Sequence, residues 1–386
     1  MHTFIKNLLN GQSVEWKALG EVAEIYGGLT GKSKNDFENG NAKYISYKNI
    51  FDNIEVNLST LDKVNVSENE KQHLVKYGDV LFTGSSETAN EAGMSSAVTT
   101  KFDENIYLNS FSFGIRFNEG VCIIPEFSKH LFRSHFMRLE IAKTASGVTR
   151  FNISKARFKK IKIPIPPLEI QEKIVKILDK LTKLTAELTA EHALRQKQYQ
   201  YYRDKLLNFS DNVEWKSLGE VAKKIYSGKN KEKNANGIYS IYGSTGIIGK
   251  TNIKAHEGEK ILVARVGANA GFVHIAQGEY DVSDNTLVIE EDRSQLILKY
   301  LYYVLESMNL NQFAKGAGQP LITGGYLKSI TIPIPPLEIQ AQIVAILDKF
   351  DTLIHSISEG LPREIELRQK QYEYYRELLL DFNMES

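Results

Sequence analysis

Few residues in this chain could do chemistry on their own, and most of those lie in loops. The stretch Gly243-Ser244-Thr245-Gly246-Ile247-Ile248-Gly249-Lys250-Thr251 comes nearest to a phosphate-binding loop, in which glycine amides wrap a phosphate and a lysine meets its charge. Ser244 stands where the first glycine of that signature belongs, so the stretch is expected to be a glycine-rich hairpin. No Gly-x-Gly-x-x-Gly follows a strand pattern, no His-Glu-x-x-His occurs, and the eight histidines show no metal spacing. A lone cysteine, Cys122, excludes an internal disulfide framework and a multi-cysteine zinc site. Glu87 and Glu91 share a loop with Asn90, but carboxylates without a partner motif are more often solvated than catalytic. No catalytic or metal-binding residue is assigned.

The loops do carry polar, basic and aromatic residues of the kind that meet nucleic acid. Lys and Arg anchor phosphates, while Asn, Gln, Arg and Ser reach the donor and acceptor edges of bases. The candidates in the first half are Lys32, Lys34, Asn35, Lys43, Tyr47, Lys48, Ser85, Ser86, Asn90, Arg150 and Asn152. In the second half they are Lys229, Asn230, Lys231, Arg265, Asn269 and Gln319. A net charge of +1 leaves no global electrostatic footprint, so any positive potential must be local or come from a partner.

The elements that position these loops are duplicated. Ile163-Pro164-Ile165-Pro166-Pro167-Leu168-Glu169-Ile170-Gln171 recurs as Ile332-Pro333-Ile334-Pro335-Pro336-Leu337-Glu338-Ile339-Gln340. Arg195-Gln196-Lys197-Gln198-Tyr199 recurs as Arg368-Gln369-Lys370-Gln371-Tyr372, and Val14-Glu15-Trp16-Lys17-Ala18-Leu19-Gly20-Glu21-Val22-Ala23 as Val213 to Ala222. Asn7-Leu8-Leu9-Asn10 matches Lys205-Leu206-Leu207-Asn208, so the sequence starts at the end of one repeat unit and stops near that same point. Such a circularly permuted start predicts that the two terminal segments meet in space; a shared linker without closure is the alternative. The offset is 199 residues at Val14 and Val213 but 169 at Ile163 and Ile332, so the second variable region is 30 residues shorter.

Between the words, runs such as Tyr44-Ile45-Ser46-Tyr47, Asp79 to Thr83, Phe111 to Phe117, Ile238 to Tyr242, Lys260 to Ala264 and Thr286 to Ile289 have strand composition. Phe127 to Ala142 and Leu296 to Met308 have helical spacing. After each proline word an apolar seam advances in alternating steps of 3 and 4: Ile170, Ile174, Ile177, Leu181, Leu184, Leu188 and Ile339, Ile343, Ile346, Phe350, Leu353, Ile357. Both seams resume after added steps of 4, in the first through His192 to Tyr199, Tyr202, Leu206 and Phe209. Alternating 3 and 4 marks a coiled-coil seam, and an added 4 is a stutter that locally unwinds it. Gly360 and Pro362 are expected to break or kink the second helix. The helices are expected to pair, antiparallel if a pseudo-twofold relates the units; otherwise each packs only on its own globule.

The expected fold class is therefore α/β (α+β): two homologous α/β domains separated by two long antiparallel coiled-coil helices, in a pseudo-twofold, circularly permuted repeat. Expected boundaries are 1–13 for a segment completing the repeat, 14–162 and 210–331 for the domains, and 163–209 and 332–386 for the helical spacers. A hydrophobic fraction of 42% with 25% charged residues suits a soluble globular protein. Neither a signal peptide nor a run of roughly 18 apolar residues is found, so a cytoplasmic protein without a membrane partner is expected.

The doubled proline words, the Arg-Gln-Lys-Gln-Tyr helix ends and the Trp-Lys-x-Leu-Gly-Glu-Val-Ala openings resemble the specificity (S) subunits of type I restriction-modification enzymes, over essentially the whole chain. Leu184-Thr185-Ala186-Glu187-Leu188-Thr189-Ala190-Glu191 looks like the Thr-Ala-Glu-Leu repeat whose copy number sets spacer length in one subgroup. The resemblance implies that each α/β domain is a target recognition domain reading half of a bipartite, asymmetric site in double-stranded DNA. It implies that the helices act as a ruler and dock two modification (M) subunits, joined by restriction (R) subunits. It also implies a non-catalytic chain without a cofactor of its own, S-adenosylmethionine, ATP and Mg belonging to the partners. A two-headed protein-binding scaffold without DNA specificity is the alternative.

Overall fold

Strands form where β-branched and aromatic residues alternate, and they form in the same order twice. The computed structural model describes residues 3–38, 40–209, 213–231, 233–316, 320–356 and 358–382. Two compact units result: Met1–Glu187 together with Ile365–Ser386, and Leu188–Glu364. The first contains a four-stranded antiparallel sheet in the order Ala23–Gly27, Ser112–Phe117, Val80–Thr83, Ser95–Ala97. The second repeats that order with Ala222–Ser227, Thr286–Glu291, Lys260–Ala264 and Val273–Ala276. Beside each lies a second sheet, of three strands in the first unit and four in the second, with one parallel pair: Ala42–Ile45 with Ile106–Leu108 and Tyr239–Gly243 with Glu279–Val282. Gly243 to Thr251 is the expected hairpin: Gly243 pairs with Gly246, leaving a two-residue turn.

The repeated words find each other. Trp16 pairs with Pro164 in the antiparallel ribbon of Glu15–Ala18 and Lys162–Ile165, and Trp215 pairs with Pro333 in the ribbon of Glu214–Ser217 and Thr331–Ile334. A proline cannot donate to a ladder, which suits these two-stranded ribbons. Just past each ribbon a fully buried glutamine makes three hydrogen bonds. Gln171 Nε2 donates to the carbonyls of Cys122 (2.7 Å) and Pro166 (2.8 Å), and its Oε1 accepts from the Ile124 amide (3.0 Å). Gln340 Nε2 donates to Gln295 (2.8 Å) and Pro335 (2.9 Å), and its Oε1 accepts from Ile297 (2.8 Å). Ile124 and Ile297 are the N-cap residues of the helices Pro125–Leu131 and Leu298–Ser307. Each glutamine thus ties the start of a long helix to the start of a domain helix.

The tyrosine of the second word completes the frame crosswise. Tyr199 donates to Glu306 on Leu298–Ser307 (3.0 Å), whereas Tyr372 meets His130 Nδ1 on Pro125–Leu131 (3.0 Å). His130 Nε2 lies 2.7 Å from Asp179, and burial holds this imidazole below its ordinary pKa even beside that carboxylate. The first unit's core joins Ile5 and Leu9 to Ile170, Ile174 and Leu178 and to Leu379, Leu380 and Phe382. The terminal segments therefore meet, as the permuted start predicts.

The long helices run Leu168–Leu207, Leu337–His355 and Leu361–Leu379. Their deepest residues follow the expected seam only in part: Ile170, Ile174 and Ile343 on it are buried. Leu178 and Leu347, outside it, are fully buried, while Ile177, Leu181, Leu184 and Leu188 are half-buried. The reason is that each helix also walls its domain, so one face packs inward at i, i+3 and i+7: Gln171, Ile174 and Leu178 in the first, Gln340, Ile343 and Leu347 in the second. The seam itself forms in the second unit, where His192 donates to the Ile354 carbonyl (2.9 Å) and Tyr202 stacks on Phe350 (5.6 Å). Position numbers rise on one helix as they fall on the other, so the two run antiparallel. The expected break occurs between His355 and Leu361, with Pro362 in the first turn of the new helix; seam residue Ile357 lies outside the described residues. A Cβ on Gly360 would come within 2.5 Å of the Thr352 carbonyl oxygen, so the break needs glycine. Two further expectations shift: Tyr47 opens the helix Tyr47–Asp52 rather than ending a strand, and Phe127 to Ala142 splits into Pro125–Leu131 and His135–Lys143.

Replacing Gln171 by Leu orphans one buried amide and two carbonyls and is expected to destabilise the first unit by about 3 kcal/mol. Denaturant unfolding in a Trp215→Phe background, followed by Trp16 fluorescence, measures this. In the second unit, neither ring nitrogen of His274 has a partner among the described residues, and burial lowers its pKa from 6.5 to about 4. A depressed histidine contributes stability above its unfolded pKa and loses it as pH falls, so the second unit should weaken between pH 6.5 and about 4. Thermal melts across that range should show a shallower acid-side decline for His274→Phe.

Candidate nucleic-acid interface

The richest concentration of candidate residues lies where three chain segments converge in the first unit. The strand Phe151–Ile153 pairs with Ala145–Ser146 on one side and Ser85–Ser86 on the other, with Phe151 opposite Ser86 and Asn152 opposite Ser85. The loop between its first two strands turns at Gly147, whose φ of 150° and close approach to the Arg150 carbonyl exclude a side chain. This ladder and the helix Tyr47–Asp52 enclose a cavity of about 460 Å³ lined by Tyr47, Phe51, Ser85, Ser86, Glu87, Glu91, Thr149 and Arg150. Tyr47 donates its hydroxyl hydrogen to the Ser85 carbonyl (2.9 Å) and stacks on Phe51 at 5.9 Å. Arg150 Nε donates to Ser85 Oγ (3.1 Å). Four candidates, Tyr47, Ser85, Ser86 and Arg150, are thus brought together.

Two arginines behind the cavity hold its walls. Arg133 donates to the carbonyls of Ile50, Phe51 (both 2.9 Å) and Asn53 (3.1 Å), capping the end of the Tyr47–Asp52 helix, and to Ser95 (2.7 Å). Arg138 donates to the carbonyls of Asn90 (2.9 Å), Ala92 (2.7 Å) and Gly93, fixing the loop that carries Glu87 and Glu91. Burial lowers both guanidinium pKa values to about 10, so both stay charged at neutral pH. Their charge is absorbed by carbonyl dipoles rather than by a carboxylate.

The remaining candidates of the first unit are scattered. Lys32 is held by Glu70 at 2.5 Å with its side chain largely buried, and Lys43 pairs with Glu104 at 2.6 Å beside Glu68 and Glu70. Lys34, Asn35 and Lys48 are exposed. Asn90 is exposed, with its carbonyl occupied by Arg138. Asn152 is exposed and donates to the Arg150 carbonyl (3.4 Å).

In the second unit Asn230 donates to Asp281 (2.7 Å), Lys231 lies 3.8 Å from Asp284, and Lys229 is exposed. The Arg265 amide binds the Asn285 carbonyl, which also accepts from Ser244 (3.2 Å), so those two loops converge. Asn269 lines a separate cavity of about 400 Å³ with Phe272, Tyr302 and Glu306. Gln319 lies outside the described residues.

Sequence reasoning missed Glu87 and Glu91 as cavity residues, and missed Arg133 and Arg138 as supports. Glu87 and Arg150 come to line one cavity only through a pairing between distant strands, which no local pattern announces. The arginines left a faint trace: charged residues interrupting the apolar spacing of Phe127 to Ala142. Among the described residues no group of three His, Cys, Asp or Glu could hold a metal, and no helix is long and apolar enough to cross a membrane.

Comparison with known proteins agrees with this duplicated architecture. Residues 13–195 and 210–367 match the family model described as the type I restriction modification DNA specificity domain. A protein named "putative type I restriction enzyme specificity subunit" from Haemophilus influenzae is 34% identical over 409 aligned positions, covering 99% of both chains. The EcoprrI type I restriction enzyme specificity subunit of Escherichia coli is 32% identical over 92% of each chain. The fold is shared with the S subunit of a type I restriction-modification system from M. genitalium (TM-score 0.57, 13% identity, covering 97% of this chain and 98% of that one). It is also shared with a chain from a type I system studied for complex assembly and conformational transition (TM-score 0.63, 18% identity, covering 97% and 99%). The family model covers most of the sequence and the Haemophilus relative aligns end to end, so the chain belongs to the type I restriction-modification DNA specificity family.

Proposed function

We propose that the two α/β domains are target recognition domains, each reading one half of a bipartite, asymmetric site in double-stranded DNA, and that the long helices set the distance between the halves. The observation that carries this reading is one frame with two sets of loops. Glutamine and tyrosine ties recur in both units, whereas the loops differ in residue type: Tyr47, Ser85 and Glu87 line the cavity with Arg150, and Val266-Gly267-Ala268-Asn269 follow Arg265. A protein that must read two different words with one architecture needs that division.

The helices would dock two modification subunits, with restriction subunits joining that core. Leu194 and Tyr201 recur as Leu367 and Tyr374, and all four are exposed. A surface presented twice suits two copies of one partner. S-adenosylmethionine, ATP and Mg would be held by those partners, and this chain would supply recognition without a catalytic group. A net charge of +1 suits shared phosphate contacts, since backbone phosphates dominate DNA affinity.

Methyladenine mapping in a host expressing this chain with its modification and restriction partners tests the reading, and a split, asymmetric methylated site is the expected result. Binding of all DNA sequences alike would favour the scaffold alternative. The 40-residue helix Leu168–Leu207 spans about 60 Å. Removing Thr185 to Leu188 shortens it by about 6 Å and rotates its C-terminal half by about 40°. The same mapping should then show an altered spacer with both half-sites retained; changed half-sites with the old spacer would contradict the ruler.

A further inference from the structure

We propose that the cavity of the first unit reads a G·C base pair from the major groove, with Arg150 donating to guanine and Glu87 accepting from the cytosine amino group. This rests on the DNA-reading function proposed above and names the chemistry of one of its sites. The starting observation is a pair of opposite charges that do not pair. Arg150 and Glu87 line the same cavity, yet the described residues form no ion pair between them. Glu91, by contrast, is engaged by Thr88 Oγ1 at 2.8 Å. Arg150 is fixed through Nε to Ser85, which leaves its two terminal nitrogens for a ligand.

The guanidinium plane is also set. It lies over the ring of Phe111, 5.9 Å from the centroid, and that ring is 63% exposed. Phe111 is mounted rigidly: buried Asn109 accepts from its amide (3.0 Å), and its carbonyl accepts from Gly84 (2.7 Å). An arginine anchored at Nε and covered on one face presents a planar fork along a fixed direction.

That combination fits one base-pair edge best. In the major groove guanine offers two adjacent acceptors, N7 and O6, followed by the N4 amino donor of cytosine. A fork with a neighbouring carboxylate complements acceptor, acceptor, donor. An A·T pair places the adenine amino donor directly beside N7, where the second prong of the fork needs an acceptor. A phosphate fits poorly, because Glu87 and Glu91 would repel it. The stacked rings of Tyr47 and Phe51 add an aromatic wall to the same cavity.

The test is methyladenine mapping of the assembled enzyme carrying Arg150→Ala, Arg150→Lys or Glu87→Ala. The expected result is a required G·C pair in one half-site of the unaltered enzyme, with discrimination at that pair falling roughly ten- to 100-fold in all three variants. The other half-site and the spacer should stay unchanged, which also shows that each variant is folded. Loss of preference at different positions, no change in the site, or full retention by Arg150→Lys overturns the proposal, the last because the fixed planar fork would then not be what reads the base. If the unaltered enzyme shows no split site, the broader DNA-reading function fails instead, before any variant is compared.

Discussion

A buried primary amide holds each recognition domain to its helix. Gln171 and Gln340 use both faces of their side chains, donating to two carbonyls and accepting from one amide, in places water does not reach. Leaving such groups unpaired costs more than making the bonds returns, so the amide enforces geometry as much as it adds stability. Through it the orientation of a long helix is fixed against the first turn of a domain helix. The proline word is the approach to that amide: its prolines restrict the backbone just before the glutamine must meet three partners.

This arrangement frees the loops. The frame is carried by buried contacts between the repeated words, so the segments at the far ends of the strands can change length and composition without disturbing it. The second variable region is 30 residues shorter than the first, yet the order of its four-stranded sheet is the same. In the first unit the added length is disciplined by Arg133 and Arg138, whose buried guanidiniums bind loop carbonyls and act as fixed posts. Asp79 does comparable work nearby, taking Arg116 in a two-pronged pair (2.8 and 2.7 Å) and the hydroxyl of Tyr26 (2.6 Å). Burial and the Asp79 charge push the Tyr26 phenol well above its ordinary range, so it stays protonated.

Much of the frame was legible in the sequence because it is written twice. Repetition exposed the words, while glycine and proline content exposed the hairpin at Gly243 to Thr251 and the break at Gly360. What escaped were contacts that appear only once the chain is folded. Leu178 and Leu347 looked like neighbours of the seam, but a helix that also walls a domain has two inward faces, and periodicity alone cannot rank them. Lys32 had the composition of a phosphate anchor, and only the folded loop shows that Glu70 holds it. The placement of Glu87 and Arg150 on one cavity depends on Phe151 meeting Ser86, a long-range register that no local propensity encodes.

The crossed tyrosine ties have a consequence for how the chain is made. The second unit is one continuous stretch, Leu188–Glu364, whereas the first is interrupted and needs Ile365 onward. His130 waits for Tyr372, 242 positions away. As the polypeptide leaves the ribosome, the second unit is therefore complete before the first, reversing the usual order in which N-terminal domains finish early. Until then the Ile170, Ile174 and Leu178 face of the first unit is left without Leu379, Leu380 and Phe382. A nascent or truncated chain carries that apolar surface open, as a natural target for chaperones or proteases.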